Sequence, residues 1–282
     1  IFSNVMPTIY IACDSFLSLR NVRNAELGTK LSEKGYKVKV FVDPHQIEGS
    51  KAASVPDIVI EPLLDFKPTD YNMFWQWANL MNNSRRSFKD PATYLSKLEY
   101  RLAQRRFFKY GIKLQLSVSW IIGLLGLYRL FRILALSQLR KTNEYCQYID
   151  LLKKEKPVLV VGFSPEGNRE MPLLQAASDL KIPSIIMIRS RDNLTSKIAF
   201  LPKVDEYLVW SVNQKNYFYH LYPDLRSSKT SVTGSPQFSF HLDKSYRLSR
   251  SDFFKKVNLN PNMPLVVFFL DNPSVVPHQQ NI

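Results

Sequence analysis

Between Thr8 and Val42 the sequence spells a strand, a helix and a second strand, and that order constrains everything after it. Thr8-Ile-Tyr-Ile-Ala-Cys13 is an apolar run that stops at Asp14-Ser15. Leu19–Lys34 follows with helical spacing: Val22, Ala25, Leu27 and Leu31 fall near one face, and Gly35 lies just past the end. Lys37-Val-Lys-Val-Phe-Val42 alternates and closes at Asp43-Pro44. Two strands joined through a helix pair in parallel, because parallel pairing needs a long crossover. A parallel sheet is covered on both faces, so its other strands should read as short, apolar runs. Ile58–Ile60, Val158–Gly162, Ser184–Ile188, Glu206–Trp210 and Lys229–Thr233 fit, with helices expected over Pro172–Leu180 and Asn213–Tyr222. After a helical region at Leu242–Lys256, Pro264–Leu270 reads as one more buried strand. The expected fold class is α/β, with a Rossmann-like parallel sheet.

The middle breaks this rhythm. Tyr71–Tyr148 has no strand pattern and few helix breakers after Pro91, so it predicts several helices, inserted over about residues 70–155. The same stretch concentrates the charge. Thirteen Lys and Arg between Ser84 and Lys141 stand against Asp90 and Glu99, a net +11 out of the chain's +14. Arg85, Arg86, Lys89, Lys97, Arg101, Arg105, Arg106, Lys109 and Lys113 alternate with Leu95, Leu98, Leu102 and Phe107-Phe108. A basic amphipathic pattern of this kind suits an anionic membrane surface. The uncharged run Leu114–Tyr128 then includes Trp120 and is closed by Arg129 and Arg132. It is shorter than the ~20 apolar residues that span a bilayer. A spanning helix, a buried core helix and an interfacial helix are the readings for this run, and a plain solvated face is the alternative for the basic stretch before it. The expected docking residues are Arg101, Arg105, Arg106, Lys109, Lys113, Trp120, Arg129 and Arg132. Nucleic acid is the disfavoured partner, since no RNA- or DNA-binding module pattern is present.

With 282 residues, 45% of them hydrophobic and 22% charged, the chain has room for one large domain or two modest ones. Cys13 and Cys146 read as two buried, reduced thiols, and the scattered Cys and His give no zinc spacing. Missing as well are Gly-x-Gly-x-x-Gly after Cys13, a Walker loop, a Gly-x-Ser-x-Gly elbow and an Asp-x-Asp pair.

Open parallel sheets bind ligands beyond the carboxyl ends of their strands. The residues expected there are Asp14, Ser15 and Arg20 after the first strand, and Glu166, Asn168 and Arg169 after the fourth. Arg189, Arg191, Asp192, Asn193 and Lys197 follow the fifth, and Ser235 and Gln237 the last of the set. Arg189, Arg191 and Lys197 suit a phosphate, because guanidinium groups make bidentate, charge-assisted bonds to it. Asp192-Asn193 is equally consistent with an Asx-type turn that only shapes its loop.

Asp192-Asn193-Leu-Thr-Ser-Lys197, Asp205-Glu-Tyr-Leu-Val-Trp210 and Val232-Thr-Gly-Ser-Pro-Gln-Phe238 together resemble a series found in GT-B-type glycosyltransferases of bacterial surface-polysaccharide synthesis. The resemblance is clearest over Pro157–Phe238, extends to Thr8–Val42 and is weak elsewhere. It implies an N-terminal, acceptor-side domain over residues 1–240. Residues 241–282 would then be a linker and the first strand of a truncated nucleotide-sugar-binding domain. Because the chain begins at Ile1, it is expected to start inside a longer reading frame.

The implied activity is metal-independent transfer of a sugar from a nucleotide-sugar donor, without a further cofactor, to a membrane-associated or lipid-linked glycan. The implied location is peripheral, at the cytoplasmic face of the membrane. Asp14, Glu166 and Asp192 are the candidate general bases, since a carboxylate can take the proton from an attacking hydroxyl. Two alternatives remain: a nucleotide-sugar 2-epimerase of the same architecture, and a non-catalytic docking or scaffold domain. The His-Gly pair of related phosphoglycerol-polymer transferases is missing, as are the Glu/His-rich loops of the epimerases.

Overall fold

A computed structural model of the chain describes residues 6–47, 58–66, 72–90, 92, 94, 109–163, 168–190, 193–197, 200–235, 238, 241, 244 and 247–267. Two compact units are present, Ile1–Ser239 and Phe240–Ile282.

The first unit is built on a seven-stranded sheet. Its strands are β1 (Thr8–Cys13), β2 (Lys37–Val42), β3 (Ile58–Pro62), β4 (Leu159–Gly162), β5 (Ser184–Met187), β6 (Glu206–Val209) and β7 (Lys229–Val232). The order is β3-β2-β1-β4-β5-β6-β7, and every pairing is parallel. This is the doubly wound, Rossmann-like arrangement expected from the βαβ pattern.

Alternation along the strands feeds two cores. Ile9, Ile11 and Cys13 point with Val38, Val40 and Val42 to one face, where α1 (Phe16–Asn24) and α2 (Leu27–Ser32) cover them. Tyr10, Ala12 and Phe41 point the other way, towards α6 (Asn143–Glu155), α7 (Met171–Asp179) and α8 (Val212–Leu221). On that face Lys39, only 7% exposed, lies between Glu61 at 2.9 Å and Glu155 at 2.7 Å. The Tyr10 hydroxyl donates to Glu155 as well, so the end of α6 is fastened to the sheet.

The single helix expected over Leu19–Lys34 is instead two. Glu26 adopts a left-handed backbone, φ 52°, and ends the first helix. The break turns Gly28 onto Ile58 of β3, where any β-carbon would overlap the isoleucine side chain. The expected strand at Pro264–Leu270 is also not observed over Pro264–Val267, which make no ladder; Val266 is 91% exposed, and residues 268–270 lie outside the described region. Of the helical region expected over Leu242–Lys256, the structure shows α9 at Arg250–Lys256. Cys146 is exposed on α6 rather than buried, while Cys13 is buried as expected.

Between β3 and β4 the described residues form α3 (Met73–Lys89), α4 (Lys109–Leu124), α5 (Tyr128–Leu139) and α6. Three arginines read as surface charge or left undivided by the sequence pattern behave differently here. Arg85 is 1% exposed, Arg86 is 5% and Arg132 is 6%. Arg85 and Arg132 both bond Asp224, which lies just after α8, and Arg132 also donates to the Leu201 carbonyl at 2.8 Å. The Arg85 guanidinium lies over the Tyr222 ring, 4.7 Å from its centre, and Arg132 over Phe200 at 4.9 Å. Arg132 is therefore not a membrane-docking residue: it pins the inserted helices to the α/β body. Burial draws its guanidinium down from the ordinary value, and Asp224 opposes that.

Candidate functional site at the carboxyl edge of the sheet

The strand order reverses between β1 and β4. Crossovers leave in opposite directions there, which opens a crevice at the carboxyl ends. Asp14 and Ser15 follow β1, Phe163 and the Asn168–Glu170 turn follow β4, and Arg189 and Asn193 follow β5. Three neighbouring strands thus deliver the three loops expected to carry the site to one rim.

Glu170, fully buried at the start of α7, ties two of these loops together. One carboxylate oxygen accepts from the Asp14 backbone N–H at 3.2 Å and the other from Phe163 N–H at 3.0 Å. Gly162 makes room for it: a β-carbon there would sit 2.9 Å from the Glu170 oxygen and 2.9 Å from Leu174. The same carboxylate, after burial itself, pushes the Cys13 thiol up, so this cysteine stays a neutral packing group.

Ser15 caps α1, its hydroxyl accepting from Ser18 N–H at 3.3 Å, and it also accepts from the Arg189 guanidinium. That bond spans from the end of β5 to the end of β1, across β4. On the far side, Trp210 donates its indole N–H to the Ile188 carbonyl at 2.7 Å, and Gln214 reaches Ser190 O at 3.4 Å. The loop after β5 is therefore held from both flanks.

Asn193 opens a single π-helical turn, Asn193–Lys197. It is completely buried, and neither its amide nitrogen nor its amide oxygen has a hydrogen-bond partner among the described residues. The Asn193 side chain therefore makes no Asx-type turn bond among the described residues, and Asp192 lies outside them. The Ser235 hydroxyl, after β7, and the Arg20 Nε are likewise buried and unbonded.

Arg169 is placed differently from expectation. It pairs with Asp43 after β2 and, at 3.4 Å, with Asp65 after β3, so it braces the rim instead of offering a free cation. Glu166, Arg191, Asp192, Gln237, Arg101, Arg105 and Arg106 lie outside the described residues, as do the side chains of Asn168, Lys197 and Lys109. Lys113, Trp120 and Arg129 are exposed on α4 and at the start of α5. Among the described residues no group of His, Cys, Asp and Glu is arranged to hold a metal ion.

No protein-family model matches the sequence, and no curated protein matches it. Among solved structures the chain is similar to UDP-N-acetylglucosamine 2-epimerase from Rickettsia bellii, at 10% identity and TM-score 0.43, covering 91% of this chain and 52% of that one. It is similar to UDP-GlcNAc 2-epimerase from Methanocaldococcus jannaschii at 12% identity and TM-score 0.43, covering 90% and 54%. MurG from Acinetobacter baumannii gives 11% identity and TM-score 0.40, covering 81% and 45%. The chain thus spans about half the length of the structures it matches.

Sequence reasoning missed Glu170 and Asp224. Each acts through partners far away in the chain, Asp14 being 156 residues from Glu170 and Arg85 139 residues from Asp224. Only one local signal pointed to Glu170: an acidic residue directly before Met171-Pro172, at the start of a helix, where a carboxylate is favoured.

Proposed function

We propose that this chain is the acceptor-side part of a nucleotide-sugar-dependent glycosyltransferase, and that the crevice between β1 and β4 receives the acceptor hydroxyl. The observation carrying this reading is Asn193. Asn193 lies in the same post-β5 loop as Arg189, which bonds Ser15, and its buried amide carries a donor and an acceptor that have no partner among the described residues. A sugar hydroxyl is itself both donor and acceptor, so one hydroxyl can satisfy such a pair of atoms, whereas a bare anion satisfies only the donor. The motif series running through Asn193, Trp210 and Gly234 supports the same reading.

In this scheme Asp14, whose backbone Glu170 fixes, takes the proton from the acceptor oxygen as that oxygen attacks the anomeric carbon. The glycosidic bond forms as the bond to the nucleoside diphosphate breaks. Arg189 is the cation at the rim that meets departing phosphate charge. Glycan acceptors linked to a lipid are the proposed acceptor class.

The test is acceptor-dependent release of nucleoside diphosphate, measured on the protein at its full natural length with a panel of nucleotide-sugars and polyprenyl-phosphate-linked saccharides. Asp14→Asn should lower kcat/KM by on the order of a hundredfold, the range typical of a lost general base, and Asn193→Ala by about tenfold, the cost of about one lost hydrogen bond to the acceptor. Full turnover in both variants overturns the assignment. Conversion of the nucleotide-sugar without any acceptor favours the 2-epimerase instead.

A further inference from the structure

Helix α4 is amphipathic in the wrong sense for a soluble core helix. Apart from the buried Ile122, its large apolar side chains face solvent: Leu114 is 68% exposed, Ile121 50% and Leu124 59%, with Val118 in the same row and Leu125, 61% exposed, just past its end. The spacing 114, 118, 121, 125 is one helical stripe. The opposite face, against α3, carries the small residues. Ser119 is fully buried with its hydroxyl bonded to the Gln115 carbonyl at 2.7 Å, and Gly123 lies directly under the Phe88 ring. Small residues let the two helices approach closely, and this arrangement leaves the apolar stripe outside.

The chain turns at Leu125–Leu127 and α5 continues the pattern. Leu130 and Ile133 are exposed, while Tyr128, Ala135, Leu136 and Leu139 pack inward. The two helices are bent by 119° at a short break, and together, though neither alone, they have the length and apolar content of a membrane span. A bent pair with its apolar residues outward is shaped to lie in an interface rather than to traverse it.

Charge decides what covers it. From Tyr100 to Asn143 the sequence holds nine Lys and Arg and no Asp or Glu; of these Arg132 and Arg140 are taken up by Asp224 and Asp179. Lys113 and Arg129 flank the stripe and are exposed, and Trp120, 53% exposed, lies at its margin against Phe88. A second copy of this chain would bring like charges together, which disfavours a homodimer through this face.

We infer that α4 and the first turns of α5 dock on an anionic phospholipid surface. The apolar stripe enters the acyl boundary, Lys113 and Arg129 remain at the headgroups, and Trp120 sits between. This surface is independent of the carboxyl-edge crevice, so it stands or falls separately from the glycosyl-transfer reading.

The test is co-sedimentation of the full chain with vesicles of 3:1 phosphatidylcholine to phosphatidylglycerol, against vesicles of phosphatidylcholine alone. Selective binding to the anionic vesicles is expected, with a blue shift of Trp120 emission that Trp120→Phe removes. Ile121→Asp with Leu125→Asp should reduce partitioning on the order of tenfold or more, and Lys113→Gln with Arg129→Gln should weaken the preference for the anionic vesicles. All four positions are exposed, so thermal melting should not change. Undiminished binding by the aspartate variant overturns the inference. So does a dimer in solution that the aspartate variant converts to a monomer without any vesicle binding by either form.

Discussion

At the scale of single residues, the rim combines a buried carboxylate bonded through both oxygens with buried polar atoms that have no partner among the described residues. Glu170 accepts one backbone N–H bond from each of two loops. Replacing it with Gln turns one acceptor into a donor facing an N–H. Glu170→Gln is therefore expected to cost about 1–3 kcal/mol, the usual penalty for leaving a buried polar group unpaired, seen as a lower denaturant midpoint at unchanged slope. Gly162→Ala should lose a similar amount, about 1–3 kcal/mol by overpacking, because its methyl meets the same carboxylate. Asn193 predicts the opposite. Its amide is buried without partners, so Asn193→Leu should hold or raise the melting temperature while abolishing any ligand-induced shift. A clear loss of stability in Asn193→Leu would mean that the amide has a structural bond.

At the scale of elements, helices are attached to the sheet by charged groups placed under them. Asp224 receives Arg85 from α3 and Arg132 from α5. Asp224→Ala leaves two guanidinium groups buried and unpaired, and should cost about 3–5 kcal/mol, read by chemical denaturation. The ends of α6 and α7 are fastened in a different way. Burial pushes the Glu155 carboxyl up, but bonds from Lys39 and Tyr10 outweigh it and hold it below the usual range. Asp179 is held low in the same way by Arg140, Tyr145 and Gln175, and the Tyr145 hydroxyl, through burial first and Asp179 second, is pushed up to about 12. A carboxylate whose folded value lies below its unfolded one contributes stability that is complete above the unfolded value, about 4, and is lost as the pH falls through the folded one. Melting temperature should therefore drop between about pH 5 and about pH 3. The double variant Glu155→Gln/Asp179→Asn should melt lower at neutral pH and show a shallower acid decline.

At the scale of the whole molecule, all seven strands and the three apolar clusters lie before Ser239. Residues 1–239 produced alone are expected to unfold in one cooperative step, followed by circular dichroism. The sheet was legible because each strand announces itself locally: β1 and β2 have the bounds that Thr8–Cys13 and Lys37–Val42 give by alternation and by the stops at Asp14 and Asp43-Pro44. The rim loops were legible because a parallel sheet gathers its strand ends. What stayed hidden was pairing at long range. Periodicity places Arg85 and Arg132 on basic helices, but it cannot reveal that an aspartate beyond α8 will draw them inside. A helix pattern over Leu19–Lys34 cannot register that Gly28 must touch β3. The Arg85–Asp224–Arg132 group has one more outcome. Two cations share one anion, so this group by itself carries a surplus unit of positive charge that burial keeps from mobile salt ions. Tyr222, stacked on that group, donates to the Leu194 carbonyl beside Asn193. A phosphate approaching this loop would feel a pull that persists at ionic strengths where the field of exposed lysines has faded.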